Sequence, residues 1–355
     1  MWQVLRRIGV EPRFINRCQE IYHESSFVVV NSKEGATDPV RQEVGVYQAC
    51  PSSPLLFIAA LVPLVRRLEQ LEDVGLSLAD GVRLCTTACA DDIKVFSNSA
   101  AGIRRCHGVV KRFLAWTGLR ANTAKCASLA VTIKARGNTA RDDSVRLELR
   151  GDVIAPLTLD ESYRYLGVGD GFDHVQHRLQ LEPKLQPIRR EAVALMQSGL
   201  AVRQVVRALK TYVYPKVEYA LRHLRPLQSQ LQGFDCAVKR GLRHLLSLPH
   251  SATTEFFYTP TSGGGLGLQS LVEMHQALQV AHAWQMLHSK DPAIVAVAKT
   301  QVCQVARKRY RLIEDHWVGR EDEIIRLFLN SELASSLHAT VNRRSGDIAS
   351  LWVDV

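Results

Sequence analysis

The fold is decided by the stretch Val82 to Ser97, VRLCTTACADDIKVFS. Its two halves are short and strand-prone, and the polar pair Asp91-Asp92 lies between them. The segment predicts a β-turn-β unit with two carboxylates at its tip. Adjacent carboxylates repel each other, and a divalent cation removes the conflict. Magnesium in particular takes one or two carboxylates together with substrate phosphates. Side chains alternate along a strand, so one of the two aspartates points into a shared site while the other supports it or points elsewhere. An Asp-Asp pair is more often a solvated turn than a site. Asp142-Asp143, in a polar loop without flanking apolar strands, is expected to be such a turn.

Upstream, Val4, Leu5 and Ile8, then Phe14, Ile15, Cys18 and Ile21, keep helical spacing with a break around Gly9 to Pro12. Phe27 to Asn31 and Val40 to Val46 predict a hairpin across the turn-like Lys33 to Ala36. Pro51 to Pro54 then breaks the chain, and Leu55 to Leu71 reads as a buried helix. Downstream, Ile103, Cys106, Val110, Phe113 and Leu114 predict a helix with Gly118 as its C-cap. Ala127 to Ile133, Val145 to Leu149 and Tyr163 to Val168 read as strands, with Arg136 to Ser144 a polar loop. From about Phe172 the pattern turns helical, through Ile188 to Leu209 and Val238 to Leu248. A glycine-rich break at Gly263 to Gly267 precedes a run to Leu287 and a helical end from Ile294 to Val355. The class is α+β: a mixed unit followed by an all-α region.

Composition bounds the function. A chain of 355 residues, 46% hydrophobic and 23% charged, has room for two or three packed units. No apolar run approaches the roughly 20 residues a bilayer requires. The best candidate, Leu55 to Val65, is short and broken by Pro63, so no membrane partner is expected. Met1 leads into Trp2, Arg6 and Arg7 without a secretory core region, so the chain reads as not secreted and intracellular, in nucleus or cytoplasm. The net charge of +10 favours polyanionic partners, because each neutralised phosphate releases counterions. The eight cysteines form no CxxC pair, and Cys85 with Cys89 has no matching pair downstream, so neither a disulfide framework nor a zinc site is expected. The run Gly263-Gly264-Gly265-Leu266-Gly267 has no strand before it and no Lys-Ser/Thr after it, which excludes a phosphate loop.

Four motifs in order carry a resemblance. CADD followed by IKVFS resembles the Tyr/Phe-Ala-Asp-Asp signature of reverse transcriptases. GVYQACPSSPLLFIAALVPLVRRLE, from Gly45 to Glu69, resembles that family's Gly-Val-x-Gln-Gly-Cys-Pro-x-Ser-Pro-Leu-Leu-Phe element, which lies against the incoming nucleotide and template. GLRANTAKC, from Gly118 to Cys126, is similar to its Gly-Leu-x-x-Asn-x-x-Lys element, and YRYLGV, from Tyr163 to Val168, to its primer-holding strand. The wording CPSSPLLF and the later GGLGL fit the non-LTR retrotransposon class better than the group II intron class. The likeness is specific from Arg41 to Val168 and diffuse to about Leu287.

The resemblance implies a partial right-hand polymerase palm over residues 1–172, an antiparallel sheet with packing helices. A helical thumb over 173–250 and a helical C-terminal region over 251–355 follow. It implies that Asp91 and Asp92 bind catalytic Mg2+, or Mn2+, with Asp91 the direct ligand. Two such ions activate a primer 3′-hydroxyl and stabilise the leaving pyrophosphate. Gln48 and Ala49 would lie beside the nucleotide, Lys125 would neutralise or protonate the leaving phosphate, and Leu166 and Gly167 would hold the primer end. Partners would be an RNA template, a DNA primer and deoxynucleotides. Arg189, Arg190, Arg203, Arg207, Lys210, Lys216, Lys239, Arg240 and Arg243 would track a duplex backbone, against the plainer reading of solvated helix faces.

The sequence departs from the family at Cys89, where an aromatic is usual, and at Val44, Tyr47 and Ala49. Ala49 adds a β-carbon where backbone and nucleic acid come close, and Val44 removes a phosphate contact. The family's first catalytic aspartate precedes a helix like Trp2 to Leu5, and the fingers come before that. The expectation is a fragment of an RNA-directed DNA polymerase that is inactive as an isolated chain and holds metal weakly. The alternative is a catalytically inactive remnant that binds nucleic acid through its basic helices.

Overall fold

Gly9, in the left-handed region at φ +85°, ends the first helical run, so the N-terminal pattern splits into α1 (Trp2–Arg7) and α2 (Pro12–Tyr22). Pro12 opens α2, where its missing N–H costs nothing, and the Glu11 carboxylate accepts the Arg13 N–H. The computed structural model describes residues 1–31, 33, 35–42, 45–47, 50–133, 139–172, 180–313, 318–337, 341 and 352. They form two compact units. The first comprises Met1–Ser77, Arg83–Cys126 and Ser144–Val153; the second comprises Leu78–Val82, Ala127–Asp143 and Ile154–Val355.

In the first unit, Leu5 of α1 and Ile15 of α2 bury against Leu56 and Ala59 of α3 (Ser53–Glu69). Farther along α3, Leu61, Leu64 and Leu68 enter a second core with Cys106, Val109 and Phe113 of α4 (Ala100–Thr117). The burial expected of residues 55–71 holds for one side only, since Leu55 and Ile58 are exposed. At the start of α4 the Ser99 hydroxyl accepts the Gly102 N–H at 3.1 Å, and Gly118 closes the helix at φ +73°, as its sequence position implies. The alternation read over Val145 to Leu149 appears as burial: Val145, Leu147 and Leu149 are inside, Arg146 and Glu148 outside. Only Glu148–Leu149 pairs as strand, with Asp152–Val153.

The second unit is mostly helical: α5 (Leu181–Met196), α6 (Val202–Ala208), α7 (Tyr214–His223), α8 (Gln228–Leu245), α9 (Leu271–Leu287), α10 (Pro292–Arg309), α11 (Glu321–Leu329) and α12 (Leu333–Leu337). Leu185, Leu209, Leu221, Leu231, Phe234, Leu242 and Leu271 share one core, which therefore runs from α5 through the start of α9. Between α6 and α7, residues Leu209–Val213 form a π-turn, and the Tyr214 N–H reaches back five residues to the Leu209 carbonyl. The cause is Pro215, which has no N–H for the carbonyl four residues before it. The Asp235 carboxylate, buried in α8, accepts the Leu271 N–H at 2.8 Å and so caps α9. The Gln279 amide donates to the Leu221 and Arg222 carbonyls, closing the end of α7. Lys299 bridges Asp80 and Asp322 at 2.9 and 2.8 Å.

The α+β class holds. The strands, however, pair two by two among the described residues, seven pairs antiparallel and one parallel, rather than forming the single antiparallel sheet expected. Each strand is two to four residues long, and turns at positive φ interrupt them, at Gly75, Asp80, Arg150 and Gly151 among others. Two expectations need correction. The polar loop at Arg136 to Ser144 contains a strand, Thr139–Arg141, paired with Val131–Ile133. The single strand read over Tyr163 to Val168 is a hairpin, because Leu166 and Gly167 both adopt positive φ, +47° and +80°. All eight cysteines are free thiols, and no described helix is long and apolar enough to cross a membrane.

Candidate active site

The segment that opened the sequence reading folds as a hairpin in the first unit. Thr86–Cys89 pairs antiparallel with Asp92–Val95, from Thr86 opposite Val95 to Cys89 opposite Asp92. Ala90 and Asp91 form its two-residue loop, and only Ala90 has positive φ, +52°. Such short loops need left-handed backbone to match the twist of the strands. Ile93 and Val95 pack on the core of α3 and α4, so alternation places Asp92, Lys94 and the cross-strand Cys89 on the face away from it. Asp91 is exposed in the loop, and Asp92 is half-buried. Neither carboxylate forms an ion pair among the described residues.

The base of the hairpin is pinned tightly. The Phe96 N–H donates to the Cys85 carbonyl at 2.8 Å, and the Cys85 thiol donates to the Val74 carbonyl. Gly75, at φ +103°, passes so close that a β-carbon would lie 2.8 Å from Cys85 Sγ and 2.9 Å from the Leu84 carbonyl oxygen. Only glycine fits there. Burial pushes the Cys85 and Cys106 thiols above their ordinary range, which keeps them neutral members of the core.

Gln48 and Ala49 lie outside the described residues, as does Val44. Tyr47, ahead of Gln48 in the chain, is held in place by Tyr22. The Tyr22 hydroxyl accepts the Tyr47 N–H at 3.3 Å and sits 3.2 Å from the Ser53 hydroxyl, while the Tyr22 and Tyr47 rings stack. Hydrogen bonds from Ser52 hold the Cys50 thiol below its ordinary pKa. Tyr22 was not picked out from sequence; its spacing marks it only as the end of a helix. Lys125 is exposed, at the end of the 3-10 turn Thr123–Lys125 in the first unit.

Leu166 and Gly167 belong to the second unit and form the two-residue loop of the hairpin Ser162–Tyr165 with Val168–Gly171. Both loop carbonyls are taken by helices: the Tyr219 hydroxyl of α7 donates to Leu166, and Lys184 of α5 donates to Gly167 at 2.8 Å. The Gln180 amide pairs with Gly169 as a strand would, accepting its N–H at 2.8 Å and donating to its carbonyl at 3.0 Å. These three supports were invisible in the sequence, because each comes from outside the motif.

Of the nine basic residues expected to meet a duplex, five are engaged inside the protein. Lys216 pairs with Glu191 at 2.5 Å and Arg189 with Glu182 at 3.7 Å. Lys210 donates to the Leu266 carbonyl, Arg243 to that of Ala252, and Lys239 lies over the Tyr258 ring. Arg190, Arg203, Arg207 and Arg240 remain exposed. Asp143 is exposed in a turn and pairs with Arg141, whereas Asp142 is half-buried, so the solvated turn expected of Asp142-Asp143 holds for Asp143 alone.

Residues 2–170 match the family model described as Reverse transcriptase (RNA-dependent DNA polymerase). The chain is similar to the Pol polyprotein of the R2DM retrotransposable element of Drosophila melanogaster, 24% identical over 274 residues, which covers 76% of this chain and 25% of that protein. The R2 Pol polyprotein of Bradysia coprophila is 26% identical over 83% of this chain and 33% of its own length. That of Nasonia vitripennis is 24% identical over 95% of this chain and 31% of its own length. Together the family match and these relatives support a reverse transcriptase of the non-LTR retrotransposon type. The chain spans between a quarter and a third of the length of these relatives.

Proposed function

We propose that this chain is a fragment of an RNA-directed DNA polymerase of a non-LTR retroelement, acting inside the cell in nucleus or cytoplasm. Residues 1–172 would serve as part of its palm, 173–250 as its thumb and 251–355 as a helical C-terminal region. The observation that carries this reading is the adjacent pair at the hairpin tip, Asp91 exposed in the two-residue loop and Asp92 opening the next strand on the face away from the core, neither with a cationic partner among the described residues. Two hard carboxylate oxygens suit Mg2+ or Mn2+. Once bound, such ions supply charge neutralisation for in-line displacement of pyrophosphate by a primer 3′-hydroxyl. The chain's own contribution is positional: Asp91 and Asp92 hold the charge, and Lys125 offers a cation or proton to the leaving phosphate. Gln48 and Ala49 line the nucleotide, and the Leu166-Gly167 loop holds the primer on its RNA template.

Among the described residues no cluster of three metal-ligating side chains exists, and the hairpin supplies two carboxylates. Two carboxylates alone make a weak site for an ion that prefers near-ideal octahedral coordination. Two measurements test the reading. In a Mn2+ titration followed by electron paramagnetic resonance, saturable binding lost in both Asp91→Ala and Asp92→Ala is expected; binding untouched by either change overturns the assignment. In primer extension on an RNA template with Mg2+ or Mn2+, the 355-residue chain is expected to give no product. Extension that Asp91→Ala abolishes would place a third carboxylate within this chain.

A further inference from the structure

A groove of about 570 Å³ lies between α3 and α4 in the first unit, lined by Arg67, Arg104, Arg105 and Arg112. A second cavity of about 560 Å³ shares Arg67 and Arg112 with it and extends to Trp116. On α4, Ala101, Arg104, Arg105, Gly108, Arg112 and Trp116 recur every three or four residues and so form one stripe. The small Ala101 and Gly108 leave space between the arginines. A β-carbon on Gly108 would meet only Arg112 Nη1, at 3.9 Å. The floor is apolar, made by Leu64, Val109 and Phe113 of the α3–α4 core.

The charge of this groove is poorly balanced. Helix α4 carries Arg104, Arg105, Lys111 and Arg112 and no carboxylate. Arg105 pairs with Asp73 at 3.3 Å, and Arg104 donates to the Ser144 carbonyl at 2.8 Å. Arg67 and Arg112 have no carboxylate partner among the described residues, and both are exposed. Trp116 is 72% exposed, with its ring 6.0 Å from that of Phe113. Folding gains nothing from leaving an indole in water beside unpaired guanidinium groups. Each feature has a use if the occupant carries phosphates and flat, unpaired rings.

We infer that the α3–α4 groove binds single-stranded nucleic acid, with Arg67 and Arg112 on the phosphates and Trp116 stacked on a base. Guanidinium forks match phosphate oxygens, and aromatic platforms hold bases without regard to sequence. A duplex is a poorer fit, because its bases are stacked on each other and offer Trp116 no free face. An acidic peptide would satisfy the arginines but leave the indole without a role. The groove shares no residue with the Asp91-Asp92 hairpin or with the four exposed arginines of the second unit, so it stands apart from the polymerase reading.

The test uses the full chain and a fluorescein-labelled 20-nucleotide oligothymidylate probe, about the length of two single-strand binding sites, followed by anisotropy. Trp116→Ala is expected to weaken binding on the order of tenfold. The double change Arg67→Ala with Arg112→Ala should lower the salt dependence by about 1.4 log units per log unit of salt, roughly 0.7 for each lost contact on a single strand. Unchanged affinity and slope in these variants overturns the inference. So does displacement of the probe by oligoglutamate as effective as displacement by unlabelled oligonucleotide, which would mark a general anion surface. The unaltered chain gives an independent measurement: photo-crosslinking to a 5-iodouracil oligonucleotide should attach the peptide bearing Trp116. Crosslinks confined to residues 181–250 would overturn it as well.

Discussion

Asp235 shows how one buried group can set the pH response of the second unit. Burial raises its carboxyl from an ordinary 3.8 to about 6, while its hydrogen bonds from Leu271 and Val272 and the nearby Lys239 pull the other way. That rise corresponds to about 3 kcal/mol of extra cost for the charged form in the folded state. Because the folded protein holds the proton more tightly than the unfolded chain, this stability is fully present below about pH 4 and is lost as pH rises through about 6. Asp235→Asn keeps an oxygen acceptor for the Leu271 N–H but removes the titration. Urea unfolding at pH 4.5 and 7.5, on either side of the folded value of about 6, should show a smaller fall in stability for the variant than for the native chain. An equal fall in both would place the pH response elsewhere. Nothing in the sequence around Asp235 marks it, since its burial depends on α9 packing over α8. The hairpin tip at Asp91 and Asp92 was legible for the opposite reason: it is set by immediate neighbours, two strand-forming segments on either side of a polar pair.

At the level of elements, the hairpin of 86–95 was readable and the one at 162–171 was not. The first has strand-forming halves and a polar pair that must face water. The second has Leu166 in its loop, a residue that seldom takes positive φ, and is held by Tyr219, Lys184 and Gln180 from other elements. Tertiary contact overrides local preference there. The same logic predicts a gain at the first hairpin. Ala90 sits at φ +52°, where a β-carbon crowds the backbone and glycine does not. Ala90→Gly should therefore stabilise the first unit by about 0.5–1 kcal/mol, the relief of strain exceeding the added freedom of the unfolded chain. Chemical denaturation would read this as a higher midpoint at unchanged slope, and a lower midpoint would mean that the loop depends on the alanine.

Across the whole molecule, what the sequence carried best was order: four motifs in the sequence of a polymerase, then a change to basic helices. What it could not carry was which basic residues are free. Local charge counts nine, yet five of these turn inward to carboxylates, carbonyls or a ring, and only the fold shows it. Binding of an RNA–DNA hybrid by the second unit should therefore depend on Arg190, Arg203, Arg207 and Arg240. With four phosphate contacts the salt slope is expected near −3 log units per log unit of salt. Replacing all four by alanine should flatten it, whereas a slope that survives the replacement would assign binding to other surfaces. The thiols of the chain have a consequence of a different kind. Of eight free cysteines only two are exposed, Cys89 beside the aspartate pair in the first unit and Cys236 on α8 in the second. A maleimide dye or nitroxide would find these two first, so the native chain already carries one attachment point per unit, and the distance between the two units can be measured by resonance energy transfer without engineering a single residue.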